Sequence, residues 1–116
     1  MYTRNDRLKE LYRELIGKLL REVKDPGLTG FLTVTDLALS IDRKTATVYY
    51  SILGSEAECQ AAGQALERAA PYLRALLKKE VTVKVVPSIV FKYDETPRKA
   101  SRIDELLNKL DKERGR

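Results

Sequence analysis

The side chains that could do chemistry in this chain are mostly cations. Arg68, Arg74, Lys78, Lys79, Lys84 and Lys92 follow one another in a single stretch. Gathered on one surface, such side chains neutralise phosphates and release counterions, giving affinity that falls steeply with salt. Arg4 and Arg7 near the start add to the set. Two carboxylate pairs, Asp94-Glu95 and Asp104-Glu105, are the other candidates, for acid–base or metal chemistry. Neither has a convergent partner in the sequence. The second lies at helical spacing from Arg102 and Lys109, which makes it an ion-pairing surface. The chain has no His, so it lacks the commonest general base and metal ligand. It also lacks every Ser-His or Cys-His nucleophile. The lone thiol, Cys59, reads as a small half-buried side chain with no base to activate it. Tyr72 and Tyr93 are expected to pack their rings and leave their hydroxyls wet. No catalytic residue, metal ligand or cofactor is expected.

The chain has 116 residues, the size of one domain with its own core. No apolar run approaches the roughly 20 residues of a membrane helix, and the charged start lacks the apolar core of a signal peptide. With one Cys, this points to a cytoplasmic protein without a membrane partner. Net charge is +5, which favours a polyanionic partner. Residues 1–30 carry +2, residues 31–66 carry −2 and residues 67–116 carry +5.

These cations must be positioned by helices and strands, and the apolar periodicity lays those out. Leu8, Leu11, Leu15, Ile16, Leu19 and Val23 give a helix over residues 4–23, with Asn5 or Asp6 as its cap. Lys24-Asp25-Pro26-Gly27 is a turn that ends it. A strand over residues 31–39 changes parity near Asp36, the mark of a bulge. After a tight connection at residues 40–44, Ala46, Val48, Tyr50 and Ile52 line one face of a second strand, an antiparallel hairpin partner. Ser55 and Glu58 form a capping box for the next helix. Its stripe is Ala62, Leu66, Ala69, Leu73, Leu76 and Leu77, with Pro71 inside. Proline lacks the N–H and crowds the preceding turn, so two helices are expected to meet at Ala69, Ala70 and Pro71. The small residues Ala57, Ala61, Ala62, Gly63 and Ala65 predict a close neighbour or a binding site. Val81, Val83, Val85, Ile89 and Phe91 alternate as a last strand, bent at Pro87, with Phe91 buried. A final helix spans residues 99–110, with Ile103, Leu106, Leu107 and Leu110 on one face, followed by a frayed tail. The third strand can pair beside the first, giving a mixed sheet.

The order helix-strand-strand-helix-kink-helix-strand is the topology of a type II KH-like domain. It is an α+β fold with a three-stranded sheet and helices on one face. The chain resembles the ribosome-binding factor A family. The resemblance rests on Lys24-Asp25-Pro26-Gly27-Leu28, Leu39-Ser40-Ile41-Asp42, Ala46-Thr47-Val48-Tyr49-Tyr50-Ser51 and Leu53-Gly54. It continues through Leu66, Ala69, Leu73 and Arg74, then Val86-Pro87-Ser88-Ile89-Val90-Phe91 and Asp94-Glu95. It implies a non-enzymatic, monomeric assembly factor. Such a factor binds the free small (30S) ribosomal subunit and its 16S rRNA, assisting late maturation and 5′-end processing, above all in the cold. Residues 1–97 would form the RNA-binding domain, and residues 98–116 a C-terminal helix and basic tail. The family carries an Ala-x-Gly kink between two helices. Here Ala69-Ala70-Pro71 stands in its place, and proline cannot offer a backbone N–H to a phosphate. The kink would open a helix N-terminus, a natural phosphate site. The candidate RNA-binding residues are therefore Arg68, Ala69, Ala70, Pro71, Arg74, Lys78, Lys79, Lys84, Lys92, Arg4 and Arg7. The alternative is a small protein–protein interaction module without RNA binding. Salt separates the two, because an apolar interface hardly responds to it.

Overall fold

The computed structural model describes residues 1–28, 31–96 and 105–110. The boundary expected at residues 97 and 98, the start of the last helix with Arg102, Ile103 and Asp104, and the basic tail lie outside the described residues. Residues 105–110 are helical, with Leu106, Leu107 and Leu110 exposed.

Helix α1 (Arg4–Glu22) buries Tyr12, Ile16, Leu19 and Leu20. The face is rotated from the expected one, because the large ring of Tyr12 enters the core and Leu11 turns out to solvent. The cap is Thr3, not Asn5 or Asp6. The Thr3 N–H donates to the Asp6 carboxylate at 2.8 Å, and the Asp6 N–H donates back to the Thr3 hydroxyl at 3.2 Å. Thr3 wins because Asp6, three residues on, completes a capping box.

Strands β1 (Phe31–Leu39) and β2 (Thr45–Leu53) form the antiparallel hairpin. Val34 pairs with Tyr50 and Asp36 with Tyr49, so Thr35 is the extra residue of a bulge. That slip turns Leu37 and Leu39 to the same face as Leu32 and Val34, opposite Val48, Ala46, Ile52 and Tyr50. Along β2, Ala46, Val48, Tyr50 and Ile52 are buried and the alternate residues are not. Both helices therefore pack on one face.

Helix α2 (Glu56–Glu80) starts from the Ser55–Glu58 capping box and buries Ala62, Ala65, Leu66, Ala69, Leu73 and Leu77. The small residues have two neighbours. A Cβ built on Gly27 would lie 2.8 Å from the Ala61 carbonyl oxygen and 3.0 Å from the Ala65 Cβ. Gly63 lies against the Tyr50 hydroxyl. The helix runs continuously through Pro71, in place of the expected pair of helices. Proline removes one backbone bond and costs about 3 kcal/mol inside a helix. Burying Leu73 and Leu77 is worth about 1.5–3 kcal/mol each, and the exposed Pro71 ring faces water. The buried stripe thus outweighs the local penalty.

Strand β3 (Ser88–Tyr93) begins after Pro87, not at Val81. Val81 instead caps α2, its N–H reaching the Leu77 oxygen at 3.2 Å. Strand β3 pairs in parallel with β2, giving the order β1-β2-β3. The sheet is mixed, as expected, but the third strand lies beside the second rather than the first. At 1.5 Å per residue, 25 helical residues span about 37 Å. That is enough to return the chain to the start of β2, where a helical crossover lays down a parallel neighbour. Tyr50 meets Phe91 and Tyr93 edge-to-face, with centroids 6.2 and 5.6 Å apart. Phe91 and Tyr93 are half-buried, so Phe91 reaches the core only along one side.

Candidate nucleic-acid interface

The β2-α2-β3 crossover decides where the cations stand. Because β2 and β3 are parallel, both begin at one end of the sheet. The hairpin loop at residues 40–44, the C-terminus of α2 and the connection at residues 81–87 all lie at that end. The Lys44 oxygen accepts from the Ser88 N–H at 2.9 Å, tying the loop to the start of β3. The Arg43 Nε donates to the Asn5 Oδ1 at 2.6 Å, which brings the first turns of α1 to the same place. Arg4, Arg7, Lys44, Lys78, Lys79 and Lys84 are thus collected from four segments, and each is exposed. None forms a salt bridge with a carboxylate among the described residues. Asp6, Asp42 and Glu80 stand against them, so this end stays positive. Asp42 is turned into the loop, where the Ser40 hydroxyl and then the Lys44 N–H hold its carboxyl below the usual range.

The remaining candidates lie elsewhere. Arg68 is on the middle of α2 and pairs with Asp25 at 3.1 Å. The Gly27 N–H, and next the Arg68 guanidinium, depress the Asp25 carboxyl. Ala69 is buried, Ala70 half-buried and Pro71 exposed on the same helix. Since α2 continues through them, no helix N-terminus opens at Pro71, contrary to expectation. Arg74 donates through Nε and a terminal nitrogen to the Val86 oxygen at 3.3 and 3.1 Å, fastening the connection to α2. Lys92 pairs with Tyr49 on the uncovered face of the sheet. Tyr72 is 60% exposed and does not pack its ring as expected.

A profile of the family described as Ribosome-binding factor A matches residues 4–107. The chain belongs to this family. A ribosome-binding factor A from Geobacter metallireducens is 35% identical over 116 residues, covering 99% of this chain and 98% of that one. The crystal structure of ribosome-binding factor A from Thermus thermophilus superposes with a TM-score of 0.69 at 27% identity, covering 77% of this chain and 93% of that one. A homology structure of the Thermus thermophilus factor fitted into a cryo-EM map of its 30S complex gives a TM-score of 0.65 at 27% identity, again over 77% and 93%. The α+β, KH-like architecture is thus that of the ribosome-binding factor A family.

Within that architecture the sequence reading missed Lys44 and Arg43. Each stands in a short connection that reads as a turn, and only the tertiary bonds from Asn5 and Ser88 join them to the other cations. By contrast, a groove of about 830 Å³ between α1 and β1 carries Glu10 and Glu14 beside Arg13 and Arg21, over Leu20, Leu32 and Val34. Its charges alternate and make no field of one sign. Among the described residues, no group of His, Cys, Asp and Glu has the arrangement of a metal site. No described helix is long and apolar enough to cross a membrane.

Proposed function

We propose that this chain binds the free small ribosomal subunit as a cytoplasmic, monomeric assembly factor. It contacts 16S rRNA and assists late maturation and 5′-end processing, including in the cold, by occupancy rather than by chemistry of its own. The observation that carries this reading is the end of the sheet to which the bonds from Asn5 and Ser88 tie the segments bearing Arg4, Arg7, Lys44, Lys78, Lys79 and Lys84, all exposed and in no salt bridge among the described residues. Phosphates there would be held by long side chains, and each one neutralised adds about 0.7–0.9 to the slope of log affinity against log salt. Of the other candidates, Arg68, Arg74 and Lys92 would act secondarily from outside this surface, and Ala69-Ala70-Pro71 would take no part, since Ala69 is buried and Pro71 has no N–H to offer.

Co-sedimentation with separated subunits tests it. Wild type should pellet with free small subunits and weaken sharply from low to moderate salt. A variant with Lys44, Lys78, Lys79 and Lys84 changed to Gln should lose pelleting at moderate salt with only a small fall in melting temperature, since all four side chains are exposed and only the C-terminus of α2 loses two favourable charges. Failure of the wild type to bind either subunit would reject the reading. A second reading, docking to a protein, is favoured by one observation, the exposed Leu106, Leu107 and Leu110 of the helical segment. Pelleting insensitive to salt but lost on changing these leucines to Ser would support it instead.

A further inference from the structure

The hairpin loop carries one feature that a simple turn does not need. Ile41 is 95% exposed, a branched apolar side chain where turn chemistry favours polar residues. Arg43, at φ 62°, is the left-handed residue with which a hairpin loop built on a type I turn rejoins its strand. The loop is firmly fixed. The Ser40 N–H reaches the Thr45 oxygen and the Arg43 N–H reaches the Ser40 oxygen, both at 2.9 Å. The Ser40 hydroxyl donates to the Asp42 carboxylate at 2.7 Å, the Lys44 N–H reaches the same oxygen at 3.0 Å, and the Thr45 N–H reaches the Ser40 hydroxyl at 3.0 Å. From outside, the bonds to Asn5 and Ser88 brace it further. Ile41 is therefore displayed on a rigid mount, with Lys44 beside it and Arg4 and Arg7 on the turn that Asn5 anchors.

We propose that Ile41 is an apolar contact for an unpaired nucleobase of RNA, presented by this loop among its cations. The inference rests on the reading of the chain as a binder of small-subunit rRNA and adds to it a contact that is not electrostatic. Unstacked bases in RNA loops offer flat apolar faces to side chains. A loop already held in place loses little freedom on binding, so the contact is retained as affinity. A pocket on a protein would accept the same side chain, but the surrounding positive charge favours a polyanion.

Ile41→Ala and Ile41→Leu, compared with wild type, test this across a salt series, against purified small subunits and protein-free 16S rRNA. Ile41→Ala should weaken both complexes about tenfold. The factor should be the same at every salt concentration, because no charge is removed. Ile41→Leu should bind like wild type, and neither variant should shift the melting temperature. Lys44→Gln should instead reduce the salt slope by about one. Ile41→Ala binding as tightly as wild type would overturn the inference. So would a loss seen with intact subunits and absent with protein-free rRNA, which would assign Ile41 to a ribosomal protein. Wild type that binds neither partner would reject the ribosomal reading itself, a result visible without any variant.

Discussion

Replacing Pro71 by Ala should stabilise the domain. Pro71 sits inside α2, with helix on both sides and its ring exposed. Alanine restores an N–H that can reach the Glu67 carbonyl and relieves the crowding of that turn. The difference between the two residues in a helix interior is about 3 kcal/mol. Part of this is offset if α2 has adapted its packing to the proline, so the expected gain is about 2–3 kcal/mol. A domain of this size moves its midpoint by about 4–8 °C per kcal/mol, so the melting temperature should rise by on the order of 10 °C. Pro71→Gly should also stabilise, by about 1 kcal/mol less than Ala. Urea titrations followed by helical circular dichroism would measure both, and an unchanged m-value would confirm that only stability moved. If either variant melts lower than wild type, the premise is wrong. Proline would then be fitting a bend on which the packing of Leu73 and Leu77 depends.

Gly27→Ala should cost about 1–3 kcal/mol, because its Cβ would meet the Ala61 carbonyl oxygen at 2.8 Å and backbone must shift. Gly63→Ala faces only the Tyr50 hydroxyl at 3.1 Å, and its helix gain of up to about 1 kcal/mol should leave it near neutral. Equal losses in thermal melts would undo the distinction between a rigid and a yielding neighbour. Several carboxylates should make stability depend on pH. Asp94 is held below its usual range by the Thr35 hydroxyl at 2.7 Å and next by the Thr96 N–H. Asp6, Asp25, Asp42 and Glu58 are depressed likewise by local donors. A depressed carboxyl contributes stability that is complete above its unfolded pKa and lost as pH falls through the folded one. Stability should therefore be level near neutrality and decline below about pH 4, less steeply in Asp94→Asn. A melting temperature constant from pH 7 to pH 3 would contradict this.

The parts of the fold legible in the sequence are those set by neighbours along the chain. The alternation from Ala46 to Ile52, the Ser55–Glu58 box and the parity change around Asp36 each need only a few residues. Thr3 escapes a reading of the sequence because its value as a cap depends on Asp6, which looks like a cap in its own right. The proline is over-weighted for a different reason. Its local penalty is certain, whereas the burial of Ala69, Leu73 and Leu77 that overrides it is a tertiary fact. Likewise Val83 and Val85 keep the period of a strand, but pairing starts only where the crossover delivers Ser88 opposite Thr45. The cations are legible by type and not by place. Arg68 and Arg74 look like their neighbours in sequence, yet bonds to Asp25 and the Val86 carbonyl engage them, while Lys44 gains its company from Asn5 and Ser88.

The same distribution of charge limits how an anion could be held. A phosphate gripped by backbone needs free N–H groups, which a helix offers only in its first turn. Position 71 lies far inside α2 and has no N–H at all, so the central turn of the helix has little to offer a phosphate. The affinity must then come from side chains that reach out from chain ends and loops. Lysine and arginine held this way follow the positions of phosphates and are indifferent to base identity. Selection among RNA sites would be left to the shape of the surface that can bring four segments into contact at once, and to whatever uncharged side chain stands among them. Ile41 is the residue in that position, which is why its effect, unlike that of Lys44, should be the same in low salt and in high.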